Sequence, residues 1–325
     1  MDISKLTTAL GAYARANSKE IRAMIYNVDS PLFKYTKTVT KVKGEFPAIN
    51  SITSNVIQGF IAQWNELGQT KIRPNILKAY HQKVNFPIIP AEIEASWLGE
   101  MNEEDLNNKD KSITKYIMEK ELKPKVQDDV RHLSVNGEYD AGDLETFGKS
   151  MNGVIAILEA GVADMNNPMF RIPLAVMTNS NAVDTVMNFE KSIPKKFRRK
   201  VKAIFISTSD LELYKEDYME SKATLVWATE ENTVKTPLHN IPLIGVDEMP
   251  AGSPLWCTVE DNLLKLVDNF NAPAITDIQV LDYKVKIFME FHLGIGFWTN
   301  QLVFVGMQGG SGTGLISGEN TLYYN

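Results

Sequence analysis

A long run of alternating apolar residues near the carboxyl end constrains the fold of this chain most strongly. Nine successive odd-numbered positions are apolar: Leu281, Tyr283, Val285, Ile287, Met289, Phe291, Leu293, Ile295 and Phe297. Because successive side chains of a β-strand point to opposite faces, the pattern predicts one strand that is buried on one face. Typical strands have about five or six residues, so this strand is unusually long or sharply bent. Gly294 and Gly296 are the positions where we expect a bend.

Other segments have apolar residues at helical spacing. They are residues 1 to 28, 112 to 133, 143 to 165 and 181 to 190. Pro124 lies inside the second segment, so we expect that helix to bend or split there. Asp143 is the predicted N-cap of the third. Ser209 and Glu212 have the spacing of a capping box, which predicts a further helix through Tyr218.

Short apolar runs between turn-forming residues predict additional strands. In the second half of the chain they lie around Leu225 and at residues 172 to 177, 200 to 207, 241 to 246 and 255 to 259. In the first half, residues 57 to 64 and 76 to 84 are predicted to be two strands. Their polar connection, residues 65 to 74, has little core to pack against, so we expect a hairpin that projects from the body. The mixture of helices and strands indicates an α+β fold.

The charged residues are distributed unevenly. There are 34 Lys and Arg against 40 Asp and Glu, a net charge of −6, so no overall basic charge indicates a nucleic-acid-binding protein. Residues 1 to 45 nevertheless hold eight basic and four acidic residues, whereas residues 92 to 110 hold seven acidic residues and one lysine. A second basic stretch runs from Lys191 to Lys202 without any acidic residue.

Motifs for enzymatic chemistry are weak. The histidines form no zinc motif; they are His81, His132, His239 and His292. Asp128 and His132 are four residues apart, but a solvated helix face explains them better than a metal. Gly148-Lys149-Ser150 lacks the first glycine of a phosphate-binding loop. The single cysteine, Cys257, lies in an apolar run, which favours a small core side chain over a nucleophile. We therefore predict no enzyme, cofactor or metal.

The chain start predicts no export. Residues 1 to 5 lack the apolar core of a signal peptide, and no run reaches the roughly 18 apolar residues of a membrane span. One cysteine excludes an internal disulfide and suggests a reducing compartment. We expect a protein made in a cytoplasm, with no membrane partner.

The order of these elements resembles the Hong Kong 97-type fold of tailed-bacteriophage major capsid proteins. Residues 193 to 200, Ile-Pro-Lys-Lys-Phe-Arg-Arg-Lys, followed by the apolar run 203 to 207, resemble that family's passage from a helix to a strand. Residues 241 to 250 resemble its strand and turn before an edge loop. The long strand from Asp277 to Phe297 resembles its closing segment.

The resemblance implies a division of the chain into six segments. They are an N-terminal arm (1–50), an extended β-hairpin loop (51–95), the first part of a peripheral domain (96–169, with a spine helix at 112–133), an axial domain (170–272), the return strand of the peripheral domain (273–308) and a C-terminal tail (309–325). Residues 309 to 314 are rich in glycine, which predicts a flexible tail. The arm and the hairpin have little core of their own, so neighbouring subunits would have to stabilise them.

The resemblance also implies a function and partners. The chain would assemble with itself into hexamers and pentamers of an icosahedral shell, the virion capsid, around double-stranded DNA held by non-specific contacts. Scaffolding, portal and decoration proteins are possible further partners. The residues that we expect at contacts between subunits are Lys37, Lys41, Trp64, Arg73, Glu103 and Glu104. The basic arm and the acidic segment 92–110 would attract each other between subunits and guide their register.

The basic stretch has two interpretations. Lys195, Lys196, Arg198 and Arg199 are candidates for contact with phosphate, and a solvated connector is the simpler alternative. No aromatic residues alternate with them as base stacking would require, since Phe197 is alone.

Three other functions remain open. An encapsulin-like nanocompartment shell shares the fold, and its particles would hold protein instead of DNA. A soluble enzyme with an unfamiliar site would be a small particle that binds a metal or a nucleotide. A different phage structural protein, such as a tail or adaptor component, would form rings or tubes.

Overall fold

The computed structural model describes residues 3–68, 70–93, 113–222, 234–269, 275–282 and 284–324. Its helices are α1 (Ile3–Ala16), α2 (Ser18–Tyr26), α3 (Ile113–Tyr116), a π-helical segment (Ile117–Leu122), α4 (Lys123–Asn136), α5 (Val154–Ala163), α6 (Ala182–Ser192), α7 (Lys195–Arg198), α8 (Thr208–Lys222) and α9 (Asn320–Tyr324), with short 3₁₀ helices at Phe33–Tyr35 and Asn300–Leu302. Its strands are β1 (Lys37–Val39), β2 (Gly44–Thr53), β3 (Thr70–Ile88), β4 (Phe170–Leu174), β5 (Val201–Ser207), β6 (Val234–Lys235), β7 (Pro242–Val246), β8 (Leu255–Val259), β9 (Leu263–Val267), β10 (Ile275–Leu281), β11 (Lys284–Phe297) and β12 (Val303–Gln308).

The strands form two six-stranded sheets, which confirms the α+β prediction. The first has the order β1-β9-β11-β3-β2, with β10 also paired to β11. The second has the order β4-β12-β8-β5-β7-β6. The strand predicted around Leu225 lies outside the described residues. The other strands predicted in the second half are present with bounds close to those expected.

Strand β11 is the centre of the first sheet. Its odd-numbered side chains from Val285 to Phe297 are all buried, which confirms the prediction from the alternating pattern. The prediction was wrong at its start, because Leu281 is exposed and belongs to β10. Asp282 has a positive φ of 53° and lies in the turn that joins the two antiparallel strands.

Gly294 and Gly296 have a different role from the predicted bend, because β11 continues through both. At Leu293 the ladder between β11 and β3 ends, and β9 pairs with β11 from there to Phe297. A Cβ atom on Gly294 would overlap the carbonyl oxygen of Lys78 in β3, and one on Gly296 would lie 2.7 Å from a methyl of Leu77. Only glycine leaves this space. The two positions therefore let residues 77 and 78 of β3, which no longer pair with β11, lie close against it.

Residues 3 to 32 differ most from the expected arm. They form two helices that separate at Asn17 instead of one, and their apolar side chains pack in the main core. These side chains include Leu6, Leu10, Ile21, Ile25, Tyr26, Val28 and Leu32. The prediction that the arm has little core of its own is therefore wrong for this part.

The predicted spine helix is present from Ile113 to Asn136. It contains a π-helical segment just before Pro124, where the N–H of Lys123 bonds to the carbonyl of Met118. Proline has no N–H and its ring clashes with the carbonyl four residues earlier, so the wider π-turn accommodates it. The helix ends at Asn136, three residues beyond the predicted bound, with the N–H of Gly137 bonded to the carbonyl of Leu133 at 3.1 Å.

Two predicted helix starts are wrong. The third helix begins at Val154 and not at Asp143, whose carboxylate accepts a hydrogen bond from the Thr146 hydroxyl within an exposed turn. Helix α8, predicted from the Ser209 capping box, begins at Thr208, and its capping group is the Ser207 hydroxyl, which accepts the N–H of Asp210 at 3.0 Å. In both cases residues with capping chemistry occur near the true start, so the local pattern does not single it out.

The C-terminal segment packs on the second sheet, in contrast to the predicted flexible tail. The backbone of Gly314 exchanges hydrogen bonds with Arg171 in β4, at 2.9 and 3.3 Å. Leu315 and Tyr323 are buried in the core of this sheet, and the hydroxyl of Tyr324 donates to the carbonyl of Gln301 at 2.8 Å.

Replacement of Gly294 by alanine tests the close approach of β3 and β11. We expect Gly294→Ala to lower the free energy of unfolding by about 1–3 kcal/mol, because the added methyl group overlaps backbone that cannot move freely. The measurement is urea unfolding followed by circular dichroism. Gly11→Ala is the matched control, since nothing lies within 4 Å of its added Cβ in helix α1. It should leave stability unchanged or raise it, and equal effects of the two variants would contradict the account.

Lys265 in β9 gives the packing of α2 a pH dependence. This side chain is 3% exposed; its Nζ donates to the carbonyl of Tyr26 at 2.7 Å and lies 3.6 Å from the centroid of the Phe33 ring. Burial lowers the pKa of Lys265 to about 8. The unfolded chain, with a lysine pKa of about 10.4, therefore binds more protons above pH 8, so stability due to this group rises with pH.

Lys265→Met should remove that dependence. Between about pH 7.5 and pH 9.5, we expect the wild type to gain about 2 kcal/mol of unfolding free energy relative to the variant. Urea unfolding at both pH values measures it, and the comparison cancels the groups that both proteins share. A constant difference between the two proteins would show that Lys265 does not titrate in this window.

Candidate subunit interface

The β2–β3 hairpin has one face against its own chain and one face in solvent. The ladder runs from Gly44 opposite Ala79 to Thr53 opposite Thr70. The predicted strand 57–64 is wrong, because those residues lie in the connection, and the predicted connection 65–74 contributes its last residues to β3. The structure thus has a longer hairpin, with its tip at residues 54 to 68.

The inner face attaches the hairpin to the body of the subunit. Lys71 and Arg73 both form ion pairs with Glu319 in the C-terminal segment. The side-chain amide of Asn75 donates to the carbonyl of Phe297 at 2.7 Å and to the side chain of Asn300 at 3.0 Å. Leu77 is buried close to Gly296. Because these residues alternate along β3, they all lie on one face of the hairpin.

Electrostatic attraction at this attachment favours the ionised form of Glu319. The hydrogen bond from Lys71, with the charges of Arg73 and Lys71, lowers the pKa of Glu319 below its usual value. A depressed carboxyl pKa contributes stability above the unfolded pKa of about 4.3, and this contribution is lost as the pH falls through the folded pKa.

The outer face is apolar and exposed. Register places Ile76 opposite Pro47 and Pro74 opposite Ile49, while Ile72 lies two residues further on the same face. All five side chains are exposed to solvent. Such a face loses apolar contact with water only when another surface covers it.

The tip adds larger apolar side chains. Ile57, Phe60 and Trp64 are 91%, 97% and 94% exposed. Nine of the eighteen large hydrophobic side chains that the described residues expose lie between residues 49 and 76. Soluble monomers rarely concentrate exposed apolar side chains in this way, so we infer that the hairpin is a contact surface.

The predicted interface residues lie in different environments. Trp64 is at the exposed tip, and Lys41 is exposed at a position with φ of 65°. Lys37 and Arg73 instead form ion pairs within the chain, with Asp261 at 3.9 Å and with Glu319. Glu103 and Glu104, like most of the acidic segment, lie outside the described residues. The roles of all six between subunits stay predictions.

The candidate phosphate-contact residues lie in helix α7 and directly after it. Lys195, Lys196 and Arg199 are exposed. Arg198 is different, because its guanidinium donates to the carbonyls of Ile193 and Lys191 at the end of helix α6. This contact gives Arg198 a structural role, and whether the other three bind phosphate stays a prediction.

The other residues that the sequence analysis considered for chemistry make structural contacts in the described part of the chain. Asp128 forms an ion pair with Arg131, and the ring of His132 stacks on Phe147 at 5.1 Å. Burial raises the pKa of the Cys257 thiol well above its usual value, so the reactive thiolate is disfavoured. Within the described ranges, no group of three or more His, Cys, Asp or Glu side chains is arranged to hold a metal ion, and no helix is long and apolar enough to cross a membrane.

Sequence reasoning missed most residues of the outer face and the tip. The residues that it did not single out are Pro47, Ile49, Ile57, Phe60, Ile72 and Ile76. A signal was present, since polar and apolar residues alternate from Lys71 to Ile76. Alternation alone does not tell whether the apolar face meets the same chain or another one.

Comparison with known proteins identifies the fold. No protein-family model matches the sequence, and no curated protein matches it significantly. Solved structures do match. The capsid of an empty GTA particle is 10% identical, with 86% of this chain and 89% of that chain covered and a TM-score of 0.53. The capsid of cyanophage A-1(L) is 13% identical, with 86% and 93% covered and a TM-score of 0.52.

This chain has the Hong Kong 97-type capsid fold. The prediction from the resemblance is thereby confirmed for the fold over most of the chain. The same capsid fold occurs in the SrpI encapsulin of Synechococcus elongatus, which is 8% identical, with 85% of this chain and 86% of that chain covered and a TM-score of 0.50. The fold alone therefore does not separate phage capsids from encapsulins.

The attachment of the hairpin is tested by Glu319→Gln. Loss of the ion pairs with Lys71 and Arg73 should cost about 1 kcal/mol, because the groups are partly exposed. We expect faster backbone hydrogen exchange in residues 44–53 and 70–79 at neutral pH, with the difference from the wild type shrinking as the pH falls through the lowered pKa of Glu319. Glu145→Gln, in an exposed turn, is the control and should change nothing. Unchanged exchange in Glu319→Gln would contradict this role.

Proposed function

We propose that this chain is the major capsid subunit of a tailed bacteriophage. It assembles with itself into hexamers and pentamers of an icosahedral shell that encloses double-stranded DNA, and it acts as a structural protein of the virion and not as an enzyme. The observation that carries the proposal is the exposed apolar tip and outer face of the β2–β3 hairpin on a subunit with the capsid fold.

The exposed side chains supply a driving force for assembly. Burial of one large apolar side chain contributes about 1.5–3 kcal/mol, so several of them stabilise a contact substantially even after the entropy of association is subtracted. The hairpin cannot cover its outer face by folding onto its own subunit, because its inner face already occupies that contact through Asn75, Leu77 and the Glu319 ion pairs. A second copy of the chain is the partner that a closed shell always provides.

We also propose functions for the segments of the chain. Residues 51–95 form the loop that covers a neighbouring subunit, 96–169 and 273–308 form the peripheral domain, and 170–272 form the axial domain at the centre of each hexamer and pentamer. Lys195, Lys196 and Arg199 are proposed to contact DNA phosphates non-specifically, which their exposure permits. Scaffolding, portal and decoration proteins are proposed as partners on the grounds of the fold.

An encapsulin-like nanocompartment is the second candidate, and the similarity to the SrpI encapsulin favours it. The content of the particles discriminates between the two. Particles isolated from cells that make this chain should contain double-stranded DNA if the capsid proposal is correct. Particles filled with one protein cargo would replace the capsid proposal by the encapsulin one.

The assembly proposal is tested with the double variant Phe60→Ser and Trp64→Ser. Both side chains are almost fully exposed, so the free energy of unfolding of the subunit should change by no more than about 0.5 kcal/mol. Shell formation should be lost or strongly reduced, because the contact between subunits loses two of its largest apolar groups. Size-exclusion chromatography and electron microscopy of the full chain measure this result.

Met165→Ser is the matched control, since Met165 is 60% exposed but lies outside the hairpin. It should assemble as the wild type does. Normal particles from the double variant, or a wild-type chain that stays monomeric under all assembly conditions, would overturn the proposal.

A further inference from the structure

The glycine-rich segment after β12 has exposed backbone donors that the described chain does not use. Residues 309 to 314 are Gly-Gly-Ser-Gly-Thr-Gly, and they connect β12 to the C-terminal segment. The backbone N–H groups at its ends are used: Gly309 bonds to Leu174, Gly310 to Met307 and Gly314 to Arg171. Between them, Ser311, Gly312 and Thr313 are exposed, and their N–H groups bond to no other part of the described chain.

The backbone dihedral angle φ changes sign from residue to residue between Ser311 and Gly314. Gly312 and Gly314 have φ values of 78° and 107°, whereas Ser311 and Thr313 do not have positive φ. Alternation of negative and positive φ occurs in nests, concave arrangements in which successive backbone N–H groups turn toward the same side and bind an anion. The glycines permit this conformation, which side chains rarely adopt.

A positively charged side chain lies against the same segment. The guanidinium of Arg171 contacts the Cα of Gly312 so closely that a Cβ atom there would lie 2.8 Å from one of its terminal nitrogens. The Nε atom of Arg171 is buried and has no hydrogen-bond partner. In the part of the chain that the structure describes, no carboxylate forms an ion pair with this guanidinium. A buried N–H of an arginine without an acceptor is costly, so this side chain has capacity for an acidic ligand.

The surroundings add further positive charge. Gly314 is next to Asn320, whose side-chain oxygen accepts the N–H of Leu315 at 2.8 Å. The adjacent residue, Glu319, is the single carboxylate that Lys71 and Arg73 share. Two cations therefore face one anion here, and Glu319 leaves no charge to neutralise Arg171.

We propose that Arg171 and the backbone N–H groups of residues 311 to 313 bind a phosphate group. A guanidinium presents several N–H donors in one plane and pairs well with tetrahedral oxyanions, and the nest donates to the remaining oxygens. The hydroxyls of Ser311 and Thr313 are further donors at the same segment. Phosphate is favoured over a carboxylate because it has enough oxygens to accept from both the arginine and the nest.

The phosphate group has two possible sources, a free phosphate ion or the backbone of DNA. Isothermal titration calorimetry of the purified full chain with inorganic phosphate, at constant ionic strength, tests whether the site binds a phosphate group from either source. A short DNA duplex without terminal phosphates, added as a competitor, distinguishes the sources. Competition assigns the site to the phosphodiester backbone, and its absence assigns it to a free phosphate ion.

Two variants test the two halves of the site. Arg171→Met removes the charge and keeps the length of the side chain, and Gly312→Ala places a Cβ against the guanidinium at a φ unsuited to alanine. Each should weaken phosphate binding by about tenfold or more. Arg171→Lys keeps the charge without the planar donors and should fall between Arg171→Met and the wild type. Circular dichroism confirms that each variant is folded before it is titrated.

Arg15→Met is the matched control, because Arg15 is exposed in helix α1 and lies outside both the proposed site and the basic stretch. It should bind phosphate within about twofold of the wild type. The proposal is overturned if the wild type shows no saturable phosphate binding, if acetate binds as tightly as phosphate, or if the folded Arg171→Lys and Gly312→Ala variants both bind like the wild type.

Discussion

The structure depends on one constraint: the β2–β3 hairpin presents an apolar face that its own subunit cannot cover. The inner face is already bound to the body through Asn75, Leu77 and the pair of cations on Glu319. The outer face and the tip are left in water, with Phe60 and Trp64 almost fully exposed. Exposed apolar side chains gain stabilisation only when another surface buries them. The hairpin therefore favours association of the subunit with a partner.

The rest of the first sheet positions that hairpin. Strand β11 is buried on one face along its length and pairs with β3 up to Leu293, beyond which β9 takes over. Gly294 and Gly296 leave room for β3 to lie close against β11 beyond the last paired residue. The two N-terminal helices and the spine helix pack in the same core, so the base of the hairpin is held by a rigid framework while the tip is exposed.

Strong periodic signals were sufficient for part of this structure. The alternation from Val285 to Phe297 predicted β11, and apolar spacing predicted the spine helix, because both elements bury one regular face within the same chain. The strand predicted at residues 57–64 was wrong for the opposite reason: its apolar residues are not buried by this chain, and a sequence pattern does not say which molecule covers them. Helix starts failed at Asp143 and Ser209, since several neighbouring residues have similar capping chemistry and tertiary packing decides among them.

From the capsid fold and the exposed hairpin we infer that neighbouring copies of this chain bury one another's hairpins. A cryo-electron microscopy reconstruction of the assembled particle tests it most directly. The account predicts a closed shell in which residues 54–68 and the Ile49, Ile72 and Ile76 side chains of each subunit are buried against a neighbouring copy. A shell in which this hairpin is in solvent on every subunit, with other surfaces forming all the contacts, would contradict it.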